Sequence, residues 1–149
     1  MDILLKLEDT KRQTLQYFDL PETDLEKSYA PGKWCIKELL HHLADAETVL
    51  YDRIRRIVSE PRQVLWAFDQ DAWCAHLHYR EMPLAINKAI YASVRDGIIH
   101  CTRQYYLSHG EKEFVHNETG VRTLTQEIEK VAIHNASHLA QIRAALGTV

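Results

Sequence analysis

Apolar residues in this chain recur every three or four positions over four long stretches, a period that suits helices and not strands. The first stretch runs from Asp2 to Phe18, with Leu4, Leu7, Leu15 and Phe18 on one stripe. The second runs from Cys35 to Ser59, with Ile36, Leu39, Leu40, Leu43, Leu50, Ile54 and Ile57 on one face, and Pro61 follows it. Pro83 suits the first turn of a third helix. That helix is expected to run to Ser108, with Ile86, Ile90, Val94, Gly97, Cys101 and Tyr105 inward, and to stop at His109-Gly110. Thr123-x-x-Gln126 reads as a capping box opening a fourth helix, which ends at Leu146 before Gly147. Between the helices, Pro21 and Pro31-Gly32 bracket a loop. Trp66 to Glu81 reads as a loop with a short helix, and Phe114 to Arg122 as an extended connector turning at Gly120. Four amphipathic helices in 149 residues predict an all-α fold, a four-helix bundle forming one domain over residues 1–149.

Charge and cysteine content narrow the function classes. Lys and Arg number 18 against 21 Asp and Glu, a net charge of −3, so nothing here drives binding to nucleic acid. Cys35, Cys74 and Cys101 form no C-x-x-C motif, so neither a disulfide framework nor a thiolate zinc site is expected. Acidic residues appear at Asp2, Glu8 and Asp9, too early for a signal peptide. No apolar run approaches the roughly 18 residues of a membrane span. The expectation is a cytoplasmic protein with a small-molecule substrate and neither nucleic acid nor membrane as partner.

Histidine is the unusual count, nine in 149 residues. His134 and His138 lie one turn apart, and side chains at that spacing project from one side of a helix about 6 Å apart. Two imidazoles so placed reach one ion. Both flank the stripe formed by Leu124, Ile128, Val131, Leu139, Ile142 and Leu146. Glu127 and Gln141 fall on the same flank and are candidates to hold an imidazole tautomer. No Glu follows the first His, so this is not the H-E-x-x-H metalloprotease helix.

An open metal site needs a third ligand. His42 lies beside the apolar face of the second helix, while His41 falls on the polar side and reads as a solvated neighbour. Glu47 sits inside the apolar stripe; it needs a partner such as Arg or a ligand's outer shell, unless its tip reaches water. Glu47, Asp69 and Asp71 are candidates for proton transfer or substrate contact. His76 and His78 read as surface or pocket-rim residues. His100, His109 and His116 have no partner at ligand spacing.

Three segments together resemble the DinB/YfiT-like superfamily of metal-dependent enzymes. They are Gly32-Lys33-Trp34-Cys35-Ile36-Lys37-Glu38-Leu39-Leu40-His41-His42-Leu43-Ala44-Asp45-Ala46-Glu47, Asp69-Gln70-Asp71-Ala72-Trp73, and His134-Asn135-Ala136-Ser137-His138-Leu139-Ala140-Gln141-Ile142 joined to Thr123-Leu124. The resemblance covers nearly the whole chain. It implies a four-helix bundle with one long crossover, often a homodimer. It implies a divalent metal, commonly zinc or nickel, held by His42, His134 and His138, the same three that helix phase selects. It also implies chemistry of the thiol-dependent S-transferase, isomerase or hydrolase kind, in some relatives with a low-molecular-weight thiol as cosubstrate. Cys35 departs from the Ser or Thr common at that position, and a cysteine is the poorer helix cap. Two other classes stay open on the residues alone: a metal-binding, stress-associated bundle without turnover, and an interaction bundle whose histidines are incidental.

Overall fold

Asp2 accepts a hydrogen bond from the Leu4 N–H at 3.2 Å and so starts the first helix, α1 (Ile3–Tyr17). The computed structural model describes residues 2–60 and 62–148, so Pro61 lies outside the described residues. Along the chain follow α2 (Glu22–Leu25), α3 (Ile36–Ser59), β1 (Val64–Leu65), α4 (Gln70–His76) and α5 (Leu84–His109). Then come β2 (Glu113–His116), β3 (Gly120–Thr123) and α6 (Leu124–Leu146). Thr123 and Gln126 form the expected box at the start of α6, and Gly147 ends it in the left-handed region at φ 71°. At the start of α3, Glu38 accepts from the Cys35 N–H at 2.8 Å and the Cys35 side chain faces the Glu38 N–H, so the box persists with a cysteine in it.

The long helices form a four-helix bundle. α3 packs against α5 and α6, and α1 closes the other side against the same two. Gly97 lets α5 approach α3, since a Cβ there would lie 2.6 Å from the Cζ of Tyr51. No helix among the described residues is long and apolar enough to cross a membrane.

The extended connector is a hairpin. β2 pairs antiparallel with β3, turning at Gly120 with φ 77°, and β1 adds a parallel strand with Val64 opposite Val115. That third strand was not expected. Two residues are too few to show an alternating pattern.

The core falls into two apolar groups along α3. Leu39, Leu40 and Leu43 pack with Phe18, Leu25, Tyr91 and Ile142. Leu50, Ile54 and Ile57 pack with Leu7, Ile98, Phe114 and Ile128. Glu47 lies between them in a buried polar layer. Arg95 donates from Nε to Glu47 Oε2 at 2.9 Å and from Nη2 to Oε1 at 2.5 Å. Its Nη1 reaches the Leu7 carbonyl at 3.0 Å and the Thr10 hydroxyl at 2.8 Å.

This layer corrects the expected face of α5 at its start only: Val94, Cys101 and Tyr105 pack against the core and Gly97 against Tyr51, as expected. Ile86 is 52% exposed, and the buried positions are Asn87, Tyr91, Arg95, Ile98, Ile99, Cys101 and Thr102. In its first half the inward stripe is polar, so apolar residues mark a face rotated by one residue, or about 100°.

Replacing Glu47 alone would leave the Arg95 charge buried and unpaired. Glu47→Leu is expected to lower stability by about 3–5 kcal/mol, and the pair Glu47→Leu/Arg95→Met by clearly less. Urea denaturation of both variants measures this; equal losses would mean that the charge pair is not the source of the effect.

Candidate metal centre

His42 enters the site from the second turn of α3, where Leu39 and Leu43 anchor the helix on its apolar side. His134 and His138 enter from the facing flank of α6, between the buried Val131 and Ile142. All three rings turn Nε2 toward one point. His42 Nε2 lies 3.0 Å from His134 Nε2, and His134 Nε2 lies 3.1 Å from His138 Nε2. The three donor atoms fall within 4.8 Å of one another. Nitrogens bound to one ion at about 2.0–2.1 Å, with ordinary angles between them, stand roughly 2.9–3.4 Å apart. Two of the three separations fall in that range and the third lies within 4.8 Å, a donor set that suits a divalent ion.

Protonation favours the same reading. Burial, reinforced by the neighbouring His134 and His138, pushes the His42 pKa down to about 2. Burial pushes His134 down to about 3, helped by His138 and Lys130. His138 is also lowered by burial, though its bond to Gln141 opposes the shift. Neutral imidazole is the form that binds metal. His138 Nδ1 donates to Gln141 Oε1 at 2.7 Å, which leaves the lone pair on Nε2. The Nδ1 atoms of His42 and His134 are buried without a partner among the described residues.

Rings wall the cluster on the α3 side. Trp34 sits 5.0 Å from the His42 ring, and Phe68 stacks over it at 6.0 Å and in turn meets Trp73 at 4.9 Å. Beside His138 a cavity of about 370 Å³ opens, lined also by Tyr29, Lys33, Trp34, Asp71 and Gln141.

The structure thus brings together the three histidines selected from the sequence, and keeps the other candidates apart from them. Glu47 takes the arginine option, with both oxygens on Arg95. Asp69 caps α4 through the Ala72 N–H at 2.9 Å, while Asp71 faces the cavity. His76 and His78 are exposed. Gln141 holds a tautomer as expected, but Glu127 does not serve an imidazole; it accepts from Arg53 Nη1 at 3.0 Å.

His41 is a correction. It is fully buried, donating from Nε2 to the Met82 carbonyl at 3.1 Å and stacking on Tyr79 at 5.3 Å. The segment following α4 folds back over the polar side of α3, and nothing in the period of α3 signals that. His116 is also buried; its Nδ1 accepts from the Glu118 and Thr119 N–H groups and secures the hairpin turn. The rings of Trp34 and Phe68 carry no signal in the helical period. They come from loops, where periodicity carries no information.

Comparisons with known proteins agree with this architecture. The sequence model of the DinB superfamily matches residues 6–142. A protein of Oceanobacillus iheyensis is 27% identical over 127 residues, covering 85% of this chain and 73% of its own length. One from Halalkalibacterium halodurans is 23% identical over 127 residues, with 85% and 74% covered. Both are provisionally named metal-dependent hydrolases. The solved structure of YfiT from Bacillus subtilis, described as "a probable metal-dependent hydrolase with an unusual four-helix bundle topology", matches with a TM-score of 0.87. It covers 99% of this chain and 87% of its own at 19% identity, a likeness of fold.

Two outcomes follow from the protonation and orientation of the rings. In metal-free protein the unfolded imidazoles take up protons near pH ~6.5, whereas the folded ones do so below it, His42 and His134 far below. Their contribution to stability is complete above pH ~6.5 and is lost as pH falls toward the folded values. The urea midpoint of chelated protein should therefore fall steadily from pH 7 to pH 4, and a flat profile would contradict the burial of neutral rings. Gln141→Ala should weaken metal affinity by about 10–100-fold with the fold intact, as measured by competition with a chelating indicator. An unchanged affinity would show that the bond to His138 does not hold the ligand.

Proposed function

The chain belongs to the DinB superfamily, and on that premise we propose that it is a metal-dependent enzyme acting on a small molecule, with His42, His134 and His138 as the ligands. The observation that carries this reading is the convergence of three neutral imidazole nitrogens at 3.0 and 3.1 Å, from the buried His42 and the half-buried His134 and His138. Three neutral ligands suit zinc or nickel and leave the double charge of the ion uncompensated. Held there, such an ion would acidify a water or thiol and so would supply a nucleophile at neutral pH.

The chain's own residues supply the setting. Burial keeps the three imidazoles unprotonated. Gln141 orients His138, and the rings of Trp34 and Phe68 keep water from the α3 side of the cluster. The cavity beside His138 admits substrate to the remaining side. Hydrolysis by a metal-activated water is the first reading, in keeping with the names of the relatives. Thiol-dependent S-transfer is the second, and one observation favours it: among the described residues no carboxylate joins the three histidines. A thiol, with an ordinary pKa near 8.5, would need less lowering by a bound ion than water at about 15.7 to be ionised at neutral pH without a separate base. A cytoplasmic homodimer completes the proposal; light scattering in solution tests the dimer.

The experiment is to load the protein with zinc or nickel and assay two panels. One holds small esters and amides; the other pairs low-molecular-weight thiols with epoxide, chloro-nitroaromatic and maleyl electrophiles. Turnover is expected in one panel, lost on chelation and restored by the same ion. Turnover that survives chelation would contradict the reading. Bound metal without turnover in either panel would instead favour a metal-binding protein.

A further inference from the structure

The cavity beside His138 carries two opposite charges that have no ion-pair partner among the described residues. Lys33 comes from the turn preceding α3, and Asp71 from the first turn of α4. Neighbouring surface charges are paired: Lys27 with Asp24, Lys37 with Glu22, Arg80 with Glu38 and Lys88 with Asp19. Lys33 and Asp71 line the same cavity, yet neither pairs with the other or with any further charge among the described residues. Nor does α4 need Asp71 as its cap, because Asp69 fills that role.

We propose that this cavity is the subsite for a small zwitterion, a substrate or cosubstrate bearing an ammonium and a carboxylate as an α-amino acid does. Asp71 takes the ammonium and Lys33 the carboxylate. Its volume of about 370 Å³ suits an occupant of that size. Tyr29 and Trp34 add ring faces beside the charges, and a ring face attracts an ammonium as well. A ligand with only one of the two charges would leave the other wall charge facing it without a partner. His138 lines the same cavity, so the third end of the molecule faces the three-histidine cluster. In that last point only, the proposal rests on the function proposed above.

Calorimetric titration of the full-length protein tests it, with L-cysteine, N-acetyl-L-cysteine, L-cysteine methyl ester and L-serine as probes. Each is titrated into zinc-loaded and into chelator-stripped protein. L-Cysteine should bind at least about fivefold more tightly than either blocked derivative, the ratio that one charge contact of about 1 kcal/mol gives. Asp71→Asn should abolish the preference over the N-acetyl form and keep that over the ester; Lys33→Met should do the reverse. The same discrimination should persist in stripped protein, whereas preference for cysteine over serine should need zinc. Loss of the zinc effect alone would count against the metal centre and leave the subsite standing. Absence of binding, equal binding of the three cysteine compounds, or unchanged ratios in both variants would overturn the proposal.

Discussion

The buried contact between Arg95 and Glu47 sets the register of the bundle. Its guanidinium reaches α3 through Glu47 and α1 through the Leu7 carbonyl and the Thr10 hydroxyl. Beside it, the Asn135 side chain on α6 accepts from Thr14 at 3.1 Å and from Tyr91 at 3.4 Å. One polar layer thus ties all four long helices. Hydrogen bonds constrain sliding and rotation more sharply than apolar packing, which tolerates several arrangements. Asn135 is next in sequence to His134, and Glu47 lies little more than one turn past His42. Fixing the layer therefore fixes which imidazoles face one another.

From that register the chemistry of the site follows. Imidazoles placed in the edge of the bundle lose most of their water, and burial disfavours the charged form. Proximity adds to this, because two protonated rings cannot share a space in which their nitrogens are 3.0 Å apart. The cluster is poised to receive a cation, and the protons that would compete for its lone pairs are already excluded. The aromatic walls and the cavity then decide from which side other molecules arrive.

Much of this was legible in the sequence where periodicity carried information. The long helices were placed closely, because capping residues and apolar stripes agree at both ends of α6 and along α3. His42, His134 and His138 could be selected from nine histidines because helix phase excludes residues that point elsewhere. Reading failed where tertiary structure overrides the local pattern. The polar layer buries Asn87, Tyr91 and Arg95, so the inward face of α5 is not its most apolar one. His41 lies on the nominally polar side of α3, yet the segment through Met82 returns to cover it. β1 consists of two residues whose partners are about fifty positions away, and no local signal specifies such a pairing.

The central claim is that the three histidines form one metal site. Metal analysis of purified protein beside His42→Ala, His134→Ala and His138→Ala tests it most directly. About one divalent ion per chain is expected in the unaltered protein and a large loss in each variant, with circular dichroism unchanged. Stoichiometric metal retained in all three variants, or no metal taken up by the unaltered protein, would contradict it.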